Sequence, residues 1–378
     1  MNVRTIIKRV IVAFAKMLPH NSIVFESIPD LSDNSKAVFD EMIRRGMNKK
    51  YKMIWLCKDN ATYPTIENTK YISQIKCGGI KAFLYVAKAK CLISCNTFLI
   101  KNGDYQKSVY VMHGVGLKKA GTYTAPKGID FITCLSEPLN RVIADEIHVD
   151  YSIMKVTGFP RNDALLNASP EKVKALFNNR YHKIIVWYPT FRQHTGGPSY
   201  SDSSITLPII HNPQDAEELN QAAKACNVLI VLKPHFSQDL SLIKDGGYSN
   251  IKLITDEFFK INNLSSYEFV GGCDALVTDY SSIFFDYLLC NKPIASVWED
   301  IEEYKRNRGF AFDVDYYMKG AVKIYNVSDF INFINEVALC KDSLAQERME
   351  IMNIAHRFKD NKSTVRVVDF IEKVALNS

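Results

Sequence analysis

Ala275-Leu276-Val277-Thr278-Asp279-Tyr280-Ser281-Ser282-Ile283-Phe284-Phe285-Asp286-Tyr287-Leu288-Leu289 is the stretch of this 378-residue chain that decides its fold. Residues 275–278 form a short run without polar alternation, the signature of a strand buried on both faces. After only Asp279 and Tyr280 an apolar helix is predicted over 281–289, so strand and helix are joined by a tight turn. A strand feeding directly into a helix is half of a βαβ unit, and a βαβ unit implies a parallel sheet.

The same alternation extends in both directions. Upstream, strands are predicted at 184–187, 228–232 and 252–254, and downstream at 294–297. Helices fall at 215–226, 263–270, 328–340 and 341–358. Nearer the N-terminus a second series places strands at 22–26, 52–57, 91–95, 109–112, 131–135 and 153–156, with helices at 34–45, 80–89 and 137–147. A turn-rich polar stretch, 158–182, separates the two series. The expected fold class is α/β, with an N-terminal Rossmann-like domain over 21–165 and a C-terminal one over 180–378.

Residues 1–20 form a segment of their own. Ile6, Ile7, Val10, Ile11, Phe14, Met17 and Leu18 recur at helical spacing, with Arg4, Lys8, Arg9 and Lys16 between them. A basic amphipathic helix of this kind either lies in the headgroup layer of an anionic membrane or docks on the body of the protein.

Composition narrows the function classes. With 47% hydrophobic and 23% charged residues the chain buries sizeable cores and is not disordered. Its apolar runs are far shorter than the ~20 residues that span a bilayer. Nine cysteines lack metal-ligand or paired spacing, Cys91 and Cys95 included, which points to free thiols in a reducing compartment. The formal charge of +6 favours an anionic partner. Scattered Lys and Arg without a recognition motif argue against nucleic acid.

In open parallel sheets ligands meet the residues that follow the strands. After 275–278 come Asp279, Ser281 and Ser282 at a helix start, where backbone N–H groups favour a phosphate; Asp286, one turn on, is placed for a ribose hydroxyl. The ordinary alternative is an N-cap by Asp279 or Ser281. After 109–112 come His113 and Gly114, with Lys118 and Lys119 beyond, a placement that suits a general base beside an open loop. His235, after Lys233-Pro234, holds the corresponding position in the second series. The other six histidines have no such placement.

Six motifs occur in order: His113-Gly114-x-x-Leu117-Lys118; Pro189-Thr190-Phe191-Arg192; Lys233-Pro234-His235; Thr278-Asp279-Tyr280-Ser281-Ser282-x-x-Phe285-Asp286 with Lys292-Pro293; Tyr304-x3-Arg308-Gly309-Phe310; and Asp360-Asn361-Lys362-Ser363-x-x-Arg366-Val367. Together, from about Ser22 to Phe370, they resemble the CDP-glycerol glycerophosphotransferase family, the primases and polymerases of teichoic acid and capsular polymers. The resemblance implies a GT-B fold, two Rossmann-like domains with the active site in the cleft between them. The first domain would take the acceptor and the second the CDP donor.

It also implies transfer of a polyol phosphate, glycerol phosphate foremost, from a CDP-polyol to a hydroxyl of a lipid-linked saccharide or growing polymer. CMP is released, and no metal or cofactor is required. By motif position His113 is the base, with Gly114 and Lys118 in the acceptor loop. Arg192, His235, Ser281 and Ser282 would hold the donor pyrophosphate, Asp286 the ribose and Arg308 a further phosphate, with Lys233 and Asp279 also on the donor side. His235 joins His113 as a catalytic candidate. A lipid-linked acceptor implies a peripheral enzyme on the cytoplasmic face of the membrane.

The chain departs from the family pattern at Val115-Gly116, where Thr-Pro is usual, at Lys233 in place of Arg, and at Phe236 in place of Pro. These changes leave the identity of the polyol open. Two other readings share the same fold: a GT-B glycosyltransferase using a nucleotide sugar, and a non-catalytic membrane-associated scaffold that binds nucleotides.

Overall fold

A computed structural model describes residues 10–18, 20–58, 63–73, 79–121, 124–190, 207–234, 243 and 247–376. The chain divides into two compact units. Unit 1 comprises Met1–Val115, Thr122–Asp163 and Arg357–Ser378, and unit 2 comprises Gly116–Gly121 and Ala164–His356.

Unit 1 is built on a parallel sheet of order β3-β2-β1-β4-β5-β6-β7. Its strands are β1 (Ser22–Glu26), β2 (Lys52–Cys57), β3 (Thr69–Ser73), β4 (Cys91–Ser94), β5 (Lys107–Tyr110), β6 (Phe131–Cys134) and β7 (Met154–Val156). Successive side chains of β1 serve opposite faces, as the pleat requires. Ile23 and Phe25 join Phe39, Trp55 and Met42 on one face, while Val24 joins Ile54, Leu92 and Ala82 on the other. Phe25, Phe39 and Trp55 form a mutual aromatic cluster with ring centroids 5.2–5.4 Å apart.

Unit 2 has a second parallel sheet of order β10-β9-β8-β11-β12-β13. It comprises β8 (Lys183–Trp187), β9 (Val228–Leu232), β10 (Ile251–Leu253), β11 (Ala275–Thr278), β12 (Ile294–Val297) and β13 (Val322–Ile324). Helices Pro213–Ala225 and Val327–Ala338 cover one face, where Leu219, Ala223, Phe330 and Ile334 pack on Ile185, Trp187 and Ile230. In both units the central strands read as uninterrupted apolar runs because both of their faces are covered.

One expected boundary is corrected. Arg357–Ser378, assigned from sequence to the end of the second domain, belongs to unit 1. The reason is packing: Val367, Val368 and Ile371 of helix Ser363–Ile371 are fully buried in the core that holds Phe39 and Trp55. Arg45 also pairs with Asp369 and Glu372 at 2.6 Å. Near the N-terminus residues 10–15 are helical; residues 1–9, with Arg4, Ile6, Ile7, Lys8 and Arg9, lie outside the described residues.

Candidate active site

His113 stands three residues beyond β5, the hydrogen-bonded strand ending at Tyr110 rather than at Met112 as the sequence suggested. Met112 adopts a left-handed conformation at φ 56° and Gly114 lies at φ 133°, so the backbone turns sharply on both sides of the histidine. The Asn34 side-chain amide donates to the carbonyls of Val111 at 3.1 Å and Met112 at 2.9 Å. The imidazole is exposed, and its Nδ1 lies 2.8 Å from the Cys95 carbonyl oxygen and 3.0 Å from Tyr110 Oη. A carbonyl oxygen only accepts, so the proton sits on Nδ1 and the Nε2 lone pair is left for another proton. Burial pushes the thiols of Cys91 and Cys95 up to about 12, which leaves them protonated and without a nucleophilic role near His113.

Of the residues expected in the acceptor loop, Gly114 belongs to unit 1 and Lys118 to the segment Gly116–Gly121 of unit 2. There Lys118 pairs antiparallel with Phe310. Lys119 N–H donates to the Gly309 carbonyl at 3.2 Å, and Ala311 N–H to the Leu117 carbonyl at 2.8 Å. Lys118 Nζ lies 5.8 Å from the Tyr304 ring centroid, beside an aromatic cluster of Tyr280, Tyr304 and Phe310. Arg308 closes helix Ile301–Asn307, with its N–H on the Tyr304 carbonyl at 2.9 Å, and Gly309 follows at φ 73°. Two motifs distant in sequence, one with Lys118 and one with Arg308, are thereby brought together.

The ends of the adjacent strands β9, β8 and β11 gather the donor candidates. Lys233 is partly buried; its Nζ lies 3.1 Å from Asp256 Oδ1 and 5.7 Å from the Tyr188 ring centroid. Ser281 and Ser282 are half-buried, and the Ser282 hydroxyl makes no capping bond at helix Ile283–Tyr287. Arg192 and His235, two residues beyond Thr190 and Lys233, lie outside the described residues.

Two donor candidates, Asp279 and Asp286, are buried and engage protein partners. Asp279, 1% exposed, directs its carboxylate at Thr190, accepting from the backbone N–H at 2.7 Å and from the hydroxyl. It therefore ties the turn after β8 to the end of β11. Asp286 is fully buried and accepts from Tyr267 Oη at 2.7 Å, and Tyr267 is partly exposed.

Sequence reasoning missed the turn after β7, Gly158-Phe159-Pro160-Arg161-Asn162-Asp163. The strand-end rule that found His113 applies to it equally, but the stretch was read as an inter-domain connection. Arg161 Nη1 donates to the His113 carbonyl at 2.8 Å and lies 3.0 Å from both Asp33 carboxylate oxygens. Asp163 accepts from the N–H groups of Ser363 at 2.9 Å and Thr364 at 2.8 Å, which caps the C-terminal helix. Arg366 Nε donates to the Thr157 carbonyl at 3.0 Å, and its guanidinium pairs with Asp360. The tail motif thus supports the turn that carries Arg161.

Comparison with known proteins identifies the family. The sequence matches the family described as CDP-Glycerol:Poly(glycerophosphate) glycerophosphotransferase over residues 9–373. The teichoic acid glycerol-phosphate primase of Bacillus subtilis (strain 168) is 25% identical over 368 residues, covering 90% of this chain and 89% of its own. A teichoic acid poly(glycerol phosphate) polymerase of Bacillus spizizenii is 26% identical over 332 residues, covering 79% of this chain and 80% of its own. The solved structure of the wall teichoic acid polymerase TagF matches with a TM-score of 0.74 at 18% identity, over 98% of this chain and 93% of that one. That likeness establishes the GT-B fold, with one Rossmann-like sheet in each unit. On the match across nearly its whole length, the chain belongs to the CDP-glycerol:poly(glycerophosphate) glycerophosphotransferase family.

Proposed function

We propose that this enzyme transfers glycerol phosphate from CDP-glycerol to a terminal hydroxyl of a growing teichoic acid-type polymer. The observation that carries the reading is the family match over 9–373, which takes in both sheets and every candidate residue. In the reaction the acceptor oxygen bonds to the β-phosphorus of the donor, and the bond from that phosphorus to the bridging oxygen breaks. CMP leaves, and the hydroxyl proton passes to His113 Nε2, whose lone pair the Nδ1–Cys95 hydrogen bond leaves available. Lys118, Arg308, Lys233 and the hydroxyls of Ser281 and Ser282 supply charge and donors for the phosphates, with Arg192 and His235 assigned there by motif. Asp279 and Asp286 act through Thr190 and Tyr267.

The acceptor in this reading is lipid-linked, and the enzyme works peripherally at the cytoplasmic membrane face. Val10, Phe14 and Met17, at helical spacing, are 62%, 59% and 83% exposed, while Ala15 is buried against the body. An apolar stripe left open beside Lys16 supports interfacial binding. No helix among the described residues is long and apolar enough to cross a membrane.

A donor screen scored by CMP release tests the reading. CDP-glycerol, CDP-ribitol and UDP-sugars are offered with a lipid-linked acceptor, and CMP is expected with CDP-glycerol. Turnover of a UDP-sugar alone favours the glycosyltransferase reading, and nucleotide binding without any product favours the scaffold.

A further inference from the structure

We propose that Arg161 is a positioning residue for His113, holding it through Asp33 and Asn34 so that the imidazole lone pair keeps one direction. The proposal rests on the reading of His113 as the base. Three successive carbonyls, those of Val111, Met112 and His113, accept hydrogen bonds from two side chains: Asn34 takes the first two and Arg161 the third. The two are locked together, because Arg161 N–H donates to Asn34 Oδ1 at 2.9 Å. Arg161 is only 7% exposed, and its buried charge is balanced by Asp33 at 3.0 Å.

This network stands where the backbone is least favourable. Met112 and Asp33 are both side-chain-bearing residues in the left-handed region, at φ 56° and 59°. Such conformations persist only where the surroundings over-determine them, and they concentrate at functional sites.

The ring has its own anchor. Nδ1 donates to Cys95, and the peptides after Cys95 are fixed in turn: Glu26 Oε2 accepts from Asn96 N–H at 3.3 Å and Thr97 N–H at 3.1 Å. Ile28 N–H donates to Asn96 Oδ1 at 2.8 Å. One anchor holds the imidazole and the other holds the backbone that carries it, so loss of the Arg161 Nη1 contacts is expected to move Nδ1 off the Cys95 carbonyl. All three contacts, two to the Asp33 carboxylate and one to the His113 carbonyl, converge on Nη1 of the planar guanidinium; lysine keeps the charge but carries it on a flexible stem that does not fix the donor at that point.

The test uses full-length Arg161→Lys, Asp33→Asn, His113→Ala and the Arg161→Lys/His113→Ala double variant. Turnover by CMP release from CDP-glycerol is one readout. The His113 tautomer, from long-range ¹H–¹⁵N spectra assigned with His113→Ala, is a second that needs no turnover. Arg161→Lys is expected to lower kcat by about 10²-fold, the scale of a small misplacement of a reacting group. The KM for CDP-glycerol should stay within about twofold. The double variant should be no slower than His113→Ala alone, because the two residues act as one unit.

The wild-type Nδ1–H signature should give way to mixed tautomers in Arg161→Lys and, more mildly, in Asp33→Asn, which keeps the shape if the lysine variant folds poorly. Multiplying losses in the double variant, or an unchanged tautomer in both single variants, would overturn the proposal. A wild-type enzyme that releases no CMP would sink the functional reading, and the tautomer would still decide whether Arg161 holds His113.

Discussion

The carboxylate of Asp279, at the end of β11, accepts from both the backbone N–H and the hydroxyl of Thr190, beyond the end of neighbouring β8. The bond ties the turn that leads to Arg192 to the strand that leads to Ser281. Asp279→Ala leaves the part-buried Thr190 N–H without its acceptor, a loss of about 1 kcal/mol. The expected outcome is a lower Tm together with weaker CDP-glycerol binding by calorimetry. A drop in stability with unchanged affinity would remove the turn from the donor site.

Gly309, at φ 73°, lets the Arg308 loop pair with the Lys118 segment, and an added Cβ would lie 3.2 Å from the Lys119 side chain. Gly309→Ala forces a left-handed alanine, at about 1–2 kcal/mol, and should lower both Tm and kcat/KM. Lys118→Ala keeps the backbone bridge, so its Tm should stay within the equivalent of about 0.5 kcal/mol while phosphate-bearing substrates bind less well.

The exposed stripe of Val10, Phe14 and Met17 gives a test free of folding effects. Phe14→Ser with Met17→Ser should leave thermal stability within about 0.5 kcal/mol of wild type. Sedimentation with anionic vesicles should fall, and transfer to a bilayer-embedded acceptor should fall more than transfer to a soluble analogue. Equal loss on both acceptors would make the stripe a structural part of unit 1.

Arg366 donates to both Asp360 oxygens, at 2.6 and 3.0 Å, and this hydrogen bonding holds the Asp360 carboxyl below its ordinary value. A folded-state pKa below the unfolded one means that the stabilisation is complete above the ordinary carboxylate range. It is lost as the pH falls through the lower, folded value. The pair is solvent-screened, worth about 0.2–1 kcal/mol. The Tm difference between wild type and Asp360→Asn should therefore be present at neutral pH and vanish in acid.

Much of this architecture was legible. The strands at 22–26, 52–57, 228–232, 275–278 and 294–297 were found with their observed bounds, because central strands covered on both faces leave unbroken apolar runs. The edge strands β3 and β13 escaped, since their half-exposed residues carry no such run. The helix Ser363–Ile371 was not among the expected elements; its residues stood out only as the tail motif, and nothing local in them says which core they cover. His113 was visible from its position after a strand. The hold of Arg161 on it, and the pairing of Lys118 with Phe310, join residues far apart in sequence and leave no local pattern. For Asp279 and Asp286 the residue types suggested a place in the donor site, but their burial and their hydrogen bonds with Thr190 and Tyr267 carry no local sequence signal.

The central claim is that His113 takes the proton from the acceptor hydroxyl. It is tested most directly by CMP release from CDP-glycerol at saturating acceptor, wild type against His113→Ala, with donor affinity measured in parallel by calorimetry. The account predicts a loss in turnover of about 10²–10⁴-fold with CDP-glycerol bound as in the wild type. Near-normal turnover by a folded His113→Ala enzyme would contradict it.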